Sequence, residues 1–457
     1  MNNKKFMDFY TRVQNSGKFA VSQGKIYHSQ DDRWDLPSDV MLPILIRGYS
    51  TEQENMALSS GDIKEVISRM EQDPQIQITF VDDEHQHYVR VSNGIFNVEK
   101  GQLEAPSGGM EFSYYLDFEY IAKENRRTPC FDNFLQTSFP YDVKTKKQLL
   151  EEILGYVISD YMTAKAGFFF IGESNSGKST VLEIIRKVVP NNRVTGIPLY
   201  RLGNRFALGR LSESRINIST ELSEKSFQSA DIFKMLTSCE MITGEHKGKK
   251  PFEFRMKCKC INAGNVIPKL GNIDGMEAIF NRMVILYFPR SIPKKEQDLY
   301  LLEKLEQEKN AIFSNALDAL VELRKREFRF TIPEDSRKLI EQLVDESKAV
   351  ENFVRERCIM ESTAKIHNCE IYEAFKQYCS ENLMEILITQ NQFLQKISHV
   401  KGVTRSKFRI NGSAPLAGFL GIRLKTFKDF DREESEALDA ATENSAEFTK
   451  QNIRKAE

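Results

Sequence analysis

The nine residues GESNSGKST, from Gly172 to Thr180, constrain the fold more than any other stretch of the chain. They match the G-x-x-x-x-G-K-[ST] pattern of a phosphate-binding loop, with Gly177 followed by Lys178 and Ser179. Glycines allow tight turns that aim backbone N–H groups at a phosphate, lysine supplies positive charge, and a serine hydroxyl is a ligand for Mg²⁺. The alternative for so short a pattern is a chance match.

The sequences on either side of the loop favour a genuine phosphate site. KAGFFFIG is typical of a short buried strand, and STVLEIIRKVVP carries apolar residues at helical spacing up to Pro190. Strand, loop and helix in this order direct the helix N-terminus at the anion. We therefore expect nucleotide phosphates to contact the loop through Gly172, Glu173, Ser174, Asn175, Ser176, Gly177, Lys178, Ser179 and Thr180.

The bulk composition restricts the class of protein. The 457 residues carry a formal net charge of −1, so any affinity for nucleic acid must come from local basic patches. The start MNNKKFMDFY lacks the long apolar segment of a secretory signal and no apolar run is long enough to span a bilayer, so we expect neither feature. The seven cysteines are scattered, and the Cys258/Cys260 pair lacks a second pair for zinc. We expect a cytoplasmic protein with no membrane partner.

Hydrolysis needs further groups near the phosphates, and three positions beside apolar runs supply candidates. Glu221 ends the strand-like SRINISTE, Asn265 ends RMKCKCINAGN, and Arg282 precedes MVILYFP. An acid can activate water, an amide can orient it, and an arginine can neutralise the γ-phosphate. The alternatives are an exposed strand-end glutamate, a turn asparagine and a surface arginine.

Taken in order, these stretches resemble the helicase portion of the phage and plasmid primase family, which includes the poxvirus-type primase-helicases of superfamily 3. The resemblance runs from about residue 90 to 425, roughly three quarters of the chain. It rests on VSNGIFNVEKGQL and TPCFDNFLQTSFP before the loop, GESNSGKST as Walker A, FALGRLSESRINISTEL ending in Walker B, FKMLTSCEMITGEHKGKKPFEF between motifs B and C, INAGNVIP as motif C, IFNRMVILYFP as the arginine motif, and EKNAIFSNALDALVEL as the lid.

The resemblance implies ATP and Mg²⁺ as cofactors and assigns the candidate residues to roles. Lys178 and Ser179 would hold the phosphates and the metal. Glu221 would polarise the attacking water or support the metal, so both Ser179 and Glu221 are metal-site residues. Asn265 would be sensor 1, and Arg282 would be the finger that reaches into the adjacent subunit.

Two positions depart from the family pattern. Many relatives carry paired acids at motif B, whereas here Ser219 and Thr220 precede the single acid Glu221. Relatives often show two arginines in the finger motif, whereas here Asn281 precedes Arg282. With a single acid, metal support and water activation cannot be assigned to two separate carboxylates.

A group of lysines before motif C predicts a nucleic-acid contact. In GEHKGKKPFEF, Lys247, Lys249 and Lys250 surround Gly248 between strand-like flanks, which indicates a basic hairpin tip with His246 beside it. The resemblance implies that this hairpin projects into the pore of a ring and grips the DNA backbone. The alternative is a solvated lysine turn.

The C-terminal part predicts a winged helix. AVENFVRERC and the stretch from Asn368 are two helix candidates, and Thr389 with Gln392 makes a capping box for a third. VTRSKFRI and LAGFLGIRL then flank Asn411-Gly412, a strong turn signal. The alternative is a winged helix used only for packing or protein contacts. The residues expected to face DNA are Gln395, Lys396, His399, Arg405, Lys407 and Arg409.

Residues 1 to 90 are less informative. KFAVSQGKIYHSQDDRWDL predicts a hairpin, and QITFVDDEHQHYVRVSNG predicts another with Asp82 and Asp83 in or near its turn. Clustered Asp and His would also suit a two-metal site, but turn acids are the ordinary interpretation. We expect this region to help subunits assemble.

The predicted fold class is α/β, with an AAA+-like P-loop ATPase core, an N-terminal α+β collar region and a C-terminal winged-helix domain. The expected boundaries are 1–90 for the N-terminal α+β region, 91–150 for a helical collar, 151–290 for the ATPase, 291–345 for a helical lid, 346–430 for the winged helix and 431–457 for a mobile tail.

The function expected from the resemblance is an ATP-dependent replicative DNA helicase of a phage, plasmid or mobile element. It would translocate as a homo-oligomeric ring, a hexamer, on single-stranded and forked DNA, with any primase or initiator as a separate chain. One alternative is an ATP-switched origin-binding initiator with little unwinding activity. A more distant alternative is a P-loop regulator that does not bind DNA.

Overall fold

The computed structural model describes residues 3–31, 33–106, 109–220, 222, 230–267, 276–382, 384, 389–409 and 415–432. Three predicted features lie outside these ranges: Glu221, the Asn411-Gly412 turn and most of the 431–457 tail. The described residues form two compact units, one up to residue 338 and one from residue 339 onward. The fold is mixed α/β, as predicted, around a five-stranded parallel sheet.

The first unit begins with a small antiparallel sheet covered by helices. Phe9, Val13, Val66 and Met70 form part of its apolar core. The elements are α1 (Asn3–Asn15), β1 (Phe19–Ser22), β2 (Lys25–Gln30), β3 (Arg33–Asp35), α2 (Met41–Arg47), α3 (Glu52–Ala57) and α4 (Ser60–Gln72).

A second three-stranded sheet and two helices precede the phosphate-binding loop. The elements are α5 (Val81–Glu84), β4 (Tyr88–Val91), β5 (Gly94–Asn97), β6 (Gln102–Glu104), α6 (Pro129–Ser138) and α7 (Val143–Ile158). The prediction that Asp82 and Asp83 lie near a hairpin turn is wrong, because both lie on α5. Asp82 is buried and accepts hydrogen bonds from the N–H and hydroxyl of Ser113, and Lys257 pairs with Asp83. These acids therefore anchor α5 to the rest of the unit.

The parallel sheet forms the centre of the first unit. Its strands are β7 (Gly167–Gly172), β8 (Val194–Thr195), β9 (Ile216–Ser219), β12 (Lys259–Gly264) and β13 (Met283–Phe288), in the order β13-β7-β12-β9-β8. Between them lie α8 (Lys178–Val188), α9 (Arg205–Leu211), α10 (Ala230–Thr237), the antiparallel pair β10 (Met241–Gly244) and β11 (Phe252–Arg255), and α11 (Met276–Phe280). Every residue of β7 is buried, which explains its continuous apolar sequence.

Three helices complete the first unit and lead into the second. They are α12 (Leu301–Gln307), α13 (Lys309–Lys325) and α14 (Glu334–Ser347). Phe168 and Phe170 of β7 share an apolar cluster with Leu154 of α7, Ile185 of α8 and Leu317 of α13. The opposite face of β7 packs through Phe169 against Phe233 of α10.

A buried polar cluster ties the segment before α6 to the edge of the sheet where its strands begin. Arg215 pairs with Asp160 at 3.0 Å and lies 3.3 Å over the ring of Tyr114, whose hydroxyl donates to Asp160. Burial alone raises the pKa of Asp160, but the charges of Arg215 and Lys259 outweigh it and hold that pKa below its usual range. Burial lowers the pKa of Lys259, which donates to the carbonyl of Ser159, to about 7. The cluster lies at the edge opposite the phosphate-binding loop.

The second unit consists of α15 (Ala349–Arg357), β14 (Cys358–His367), α16 (Asn368–Glu381), α17 (Gln390–Ser398), β15 (Thr404–Phe408) and β16 (Leu416–Leu424). The predicted helices and the antiparallel β15–β16 pair are present, and the capping box of Thr389 and Gln392 begins α17. β14 was not predicted; it pairs with β16, giving the sheet order β14-β16-β15.

No helix within the described ranges is long and apolar enough to cross a bilayer.

Helices α7 and α13 approach so closely at Gly155 that we expect no side chain to fit there without displacing its neighbours. A Cβ at this position would lie 2.1 Å from the Ala316 carbonyl oxygen and 2.9 Å from the Leu320 Cβ. Gly155→Ala should lower the free energy of unfolding by about 1–3 kcal/mol through overpacking, measured by urea denaturation. Gly61→Ala is the matched control, since its nearest neighbour would be the Ser59 hydroxyl at 3.5 Å. Equal stability of the two variants would contradict the packing described.

Candidate functional site

The predicted loop joins the end of β7 to the start of α8. Gly172 is the last residue of β7, with φ 151°, and Gly177 immediately precedes α8, with φ 102°. Asn175 also has a positive φ, at 59°. Ser179 and Thr180 lie in the first turn of α8, where backbone N–H groups have no intrahelical partner. The structure therefore contains the predicted strand–loop–helix arrangement.

The Lys178 ammonium lies inside the loop. It donates to the carbonyl oxygens of Gly172 at 2.6 Å and Glu173 at 2.5 Å, and to the Ser176 hydroxyl at 3.2 Å. Burial lowers its pKa, and the nearby Glu173 partly opposes that shift. The carbonyl oxygens of Gly172 and Glu173 thus accept hydrogen bonds that the Lys178 ammonium could otherwise donate to a phosphate.

Segments from two other strands hold the loop in place. Asn265, directly after β12, donates from its amide to the Ser174 hydroxyl at 3.4 Å. After β13, the Ser291 hydroxyl donates to the Ser174 carbonyl at 2.8 Å, and the Ile292 N–H donates to the Asn175 carbonyl at 2.9 Å. Asn265 is therefore brought to the loop as predicted, whereas sequence reasoning missed Ser291 and Ile292.

Helix α6 packs directly on the loop, which the sequence did not indicate. A Cβ on Gly177 would lie 2.7 Å from both the Phe134 ring and the Ser138 hydroxyl. Ser138 is fully buried, and its hydroxyl has no hydrogen-bond partner among the residues described. No local pattern could reveal this contact, since about forty residues separate the two segments.

A cavity of about 1150 Å³ opens beside the loop. α6 and α12 line it on one side, the loop and the ends of β9 and β12 on the other. Its lining residues are Pro129, Cys130, Asn133, Phe134, Thr137, Ser174, Asn175, Ser176, Gly177, Lys178, Ser179, Thr180, Leu182, Thr220, Leu222, Ala263, Gly264, Asn265, Val266, Ile292, Glu296, Gln297, Asp298, Leu301 and Lys304.

The remaining two hydrolysis candidates are placed differently. Glu221 lies outside the described residues, but its neighbours Thr220 and Leu222 line the cavity. Arg282 lies just before β13, where its carbonyl accepts from the N–H of Gly167, the first residue of β7. Since β7 and β13 are parallel, Arg282 is about one strand length, roughly 17 Å, from the loop. The structure does not bring Arg282 to the loop of its own chain.

No group of three or more His, Cys, Asp or Glu that could hold a metal ion occurs in the part of the chain that the structure describes.

The predicted basic hairpin is present. Lys247, Lys249 and Lys250 are exposed in the connection between β10 and β11, around Gly248 with φ 78°. His246 stacks on Phe252 with 5.0 Å between ring centroids and pairs with Glu213 at 3.3 Å. The histidine thus packs against Phe252 of β11, whereas the three lysines at the tip of the hairpin are exposed.

Helix α9 packs against β10 and adds exposed residues that sequence reasoning missed. Gly209 is close to Glu245, where a Cβ would lie 2.3 Å from its carbonyl oxygen. Arg205, Phe206 and Arg210 are exposed on the outer side of α9. Arg205 pairs with Glu245 at 3.0 Å, and its guanidinium lies 5.1 Å from the centre of the Phe206 ring.

In the second unit, four basic residues predicted to face DNA belong to α17, to β15 and to the residue that follows β15. Lys396 is on α17, Arg405 and Lys407 are on the exposed strand β15, and Arg409 follows it. None of the four forms an ion pair with another described residue. Arg423 on β16 differs, since Asp429 and Glu361 neutralise it.

Comparison with known proteins gives a partial family match and a similar fold. A model described as a family of unknown function, DUF5906, matches residues 170–282, from β7 to Arg282. No curated protein matches the chain. The apo structure of the C-terminal region of NrS-1 is 13% identical, with a TM-score of 0.50 over 92% of this chain and 100% of that one. This chain has a fold similar to that region. Two further apo structures of it, described as the A form, give a TM-score of 0.47 at 13% identity, each covering 90% of this chain and 98% of that one.

Because Gly177 is crowded by its neighbours, we expect that adding a single methyl group at this position strongly lowers the free energy of unfolding. Gly177→Ala combines a positive φ with contacts to Phe134 and Ser138, whereas Gly248→Ala has a positive φ and nothing within 4 Å. We expect a loss of about 1 kcal/mol in unfolding free energy for Gly248→Ala, from backbone strain alone. Gly177→Ala should lose roughly 1–3 kcal/mol more through overpacking. Urea denaturation measures both, and an equal loss in the two variants would contradict the contact between α6 and the loop.

Proposed function

We propose that this chain is an ATP-driven DNA helicase of the superfamily 3 type, from a phage, plasmid or other mobile element. The observation that carries the proposal is the phosphate-binding loop with Lys178 inside it, beside a cavity whose other wall comes from α6 and α12. Its volume of about 1150 Å³ is ample for a nucleoside triphosphate. A loop alone could bind a small anion, but a cavity of this size accommodates a base and sugar as well.

Lys178 would exchange its backbone partners for the β- and γ-phosphates of ATP. Its ammonium is already desolvated, so a doubly charged phosphate is a stronger partner than the carbonyls of Gly172 and Glu173. Helix α8 directs its free N–H groups at the same position.

Mg²⁺ would enter with the nucleotide. The exposed Ser179 hydroxyl and Thr220 lie on the cavity wall, and oxygen is the donor that Mg²⁺ prefers. Mg²⁺ is usually held by one or two protein ligands together with phosphates and water, which fits a site with no preformed metal cluster among the described residues. Bound there, it would neutralise charge on the phosphates. Ser179 and Glu221 are the proposed ligands, and Asn265 would orient the attacking water.

A homo-oligomeric ring, a hexamer, would complete the site. Arg282 lies a strand length away from its own loop, so it can act on ATP only if the loop belongs to a neighbouring subunit. The family resemblance assigns the same role to this position. We therefore propose Arg282 as the finger that joins two subunits.

The DNA contact would be the β10–β11 tip. Lys247, Lys249 and Lys250 are exposed there, and lysines on a turn suit phosphate tracking along single-stranded and forked DNA. The order of helices and strands in the second unit, with β16 central in its sheet, fits a winged helix that recruits the ring to DNA. Any primase or initiator would be a separate chain, and the complex would act in the cytoplasm.

The test is strand displacement on a forked duplex, together with ATP hydrolysis. The wild-type chain should unwind the fork with ATP and Mg²⁺, and Lys178→Ala should reduce hydrolysis and unwinding by at least about a hundredfold. Lys187→Ala is the matched control, since Lys187 is in the last turn of the same helix and pairs with Glu306.

Full hydrolysis by Lys178→Ala would refute the assignment of the loop. ATP-dependent binding without unwinding by the wild-type chain would favour the origin-binding initiator instead. Hydrolysis without DNA binding would favour the P-loop regulator.

A further inference from the structure

Helix α17 presents a stripe of uncharged polar side chains to solvent. Asn391, Gln395 and His399 are exposed at spacings of four residues, so they lie along one side of the helix and the residue that ends it. Within the part of the chain that the structure describes, their side chains form no hydrogen bond. By contrast, the exposed Gln377 of α16 donates to Glu381 at 2.9 Å, so surface amides here do find partners where acids are near.

The opposite side of α17 fixes the direction of this stripe. Phe393 is fully buried and stacks on Phe375 of α16 with 4.5 Å between ring centroids, and it also contacts Phe353 of α15. The capping box of Thr389 and Gln392 fixes the residue at which the helix begins. A helix held by a packed core and a cap cannot rotate about its axis, so Asn391 and Gln395 have a defined orientation.

The segment of the chain that contains the stripe is strongly basic. Residues 389–409 contain five Lys or Arg and no Asp or Glu, and the five are Lys396, Lys401, Arg405, Lys407 and Arg409. None of the five pairs with an acid among the described residues. Elsewhere in the same unit, Arg357 pairs with Glu381 and Arg423 pairs with Asp429. Positive charge is thus concentrated in the segment that carries the amides, as a polyanionic partner requires.

We propose that α17 reads A·T base pairs in the major groove of double-stranded DNA through the amides of Asn391 and Gln395. This inference rests on the proposed DNA-binding function. A carboxamide holds an NH₂ donor group and an acceptor oxygen side by side, so the NH₂ can donate to N7 of adenine while the oxygen accepts from its N6 amino group in a bidentate pair. The major groove is about 12 Å wide and admits a helix. The basic residues supply phosphate contacts, which give affinity but no sequence information.

The charge pattern also explains why a guanine-rich site is not expected. Guanine presents two acceptors in the major groove and is read best by Arg or Lys. The exposed stripe carries neither, and Lys396 beside it is only partly exposed. The basic residues of β15 belong to the adjacent hairpin and suit the backbone.

The experiment is a selection of randomised duplex DNA by the full-length chain, followed by measurement of Kd for the enriched and scrambled sequences. Wild type should enrich a site with adenines, bound on the order of tenfold more tightly than its scrambled version. Gln395→Ala and Asn391→Ala should remove most of that preference and leave binding to the scrambled duplex nearly unchanged. Gln377→Ala is the matched control and should behave as wild type. Lys407→Ala should weaken binding to both duplexes equally and reduce the salt dependence.

Three results would overturn the inference. Binding to duplex DNA without any adenine preference, or a preference unchanged in both amide variants, would exclude readout by α17 and leave the proposed helicase function intact. Binding restricted to single strands would also exclude it. Absence of binding to any DNA would overturn the proposed function itself.

Discussion

Close packing around the two glycines of the phosphate-binding loop is the constraint on which the rest of the site depends. A Cβ on Gly172 would lie 2.1 Å from the Phe288 carbonyl oxygen, and one on Gly177 would meet α6. The loop is therefore enclosed by β13 on one side and α6 on the other. Because β7 is buried on both faces and α8 shares its apolar cluster, the backbone that carries Lys178 is held in place before any ligand arrives, while the ammonium would still exchange its carbonyl partners. Such preorganisation reduces the entropy lost on binding.

Strand β12 provides a physical connection between the proposed nucleotide site and the proposed DNA contact. Asn265 follows its last residue and contacts Ser174 of the loop, while the β10–β11 hairpin precedes its first. β12 is buried and paired on both sides, by β7 and β9, so it forms a rigid connection of roughly 17 Å. A displacement of Asn265 on nucleotide turnover would therefore be transmitted through β12 to the base of the hairpin. We propose that this connection couples hydrolysis to movement along DNA.

Local patterns in the sequence predicted the parts of the molecule that depend on near neighbours along the chain. The loop, α8, the lysine turn, the Thr389 capping box and the β15–β16 pair all carry signals within about twenty residues, and all these predictions match the described structure. The hairpin proposed around Asp82 was wrong because burial and bonding to Ser113 outweigh the turn preference of aspartate. Two features bring together segments more than one hundred residues apart. Helices α6 and α12 line the same cavity, and the Ser291 hydroxyl donates to the Ser174 carbonyl of the loop. Nothing in the local pattern encodes such contacts. The fold class could therefore be predicted from the sequence, but the shape of the cavity could not.

The most direct measurement is electron microscopy of the full-length chain with a non-hydrolysable ATP analogue and forked DNA. The account predicts a ring in which each nucleotide lies in the 172–180 loop of one subunit with Arg282 of the next beside it, and one DNA strand passes the lysines of the β10–β11 tip. Particles that stay monomeric with nucleotide and DNA present, or rings whose lysine tips face away from the strand, would contradict it.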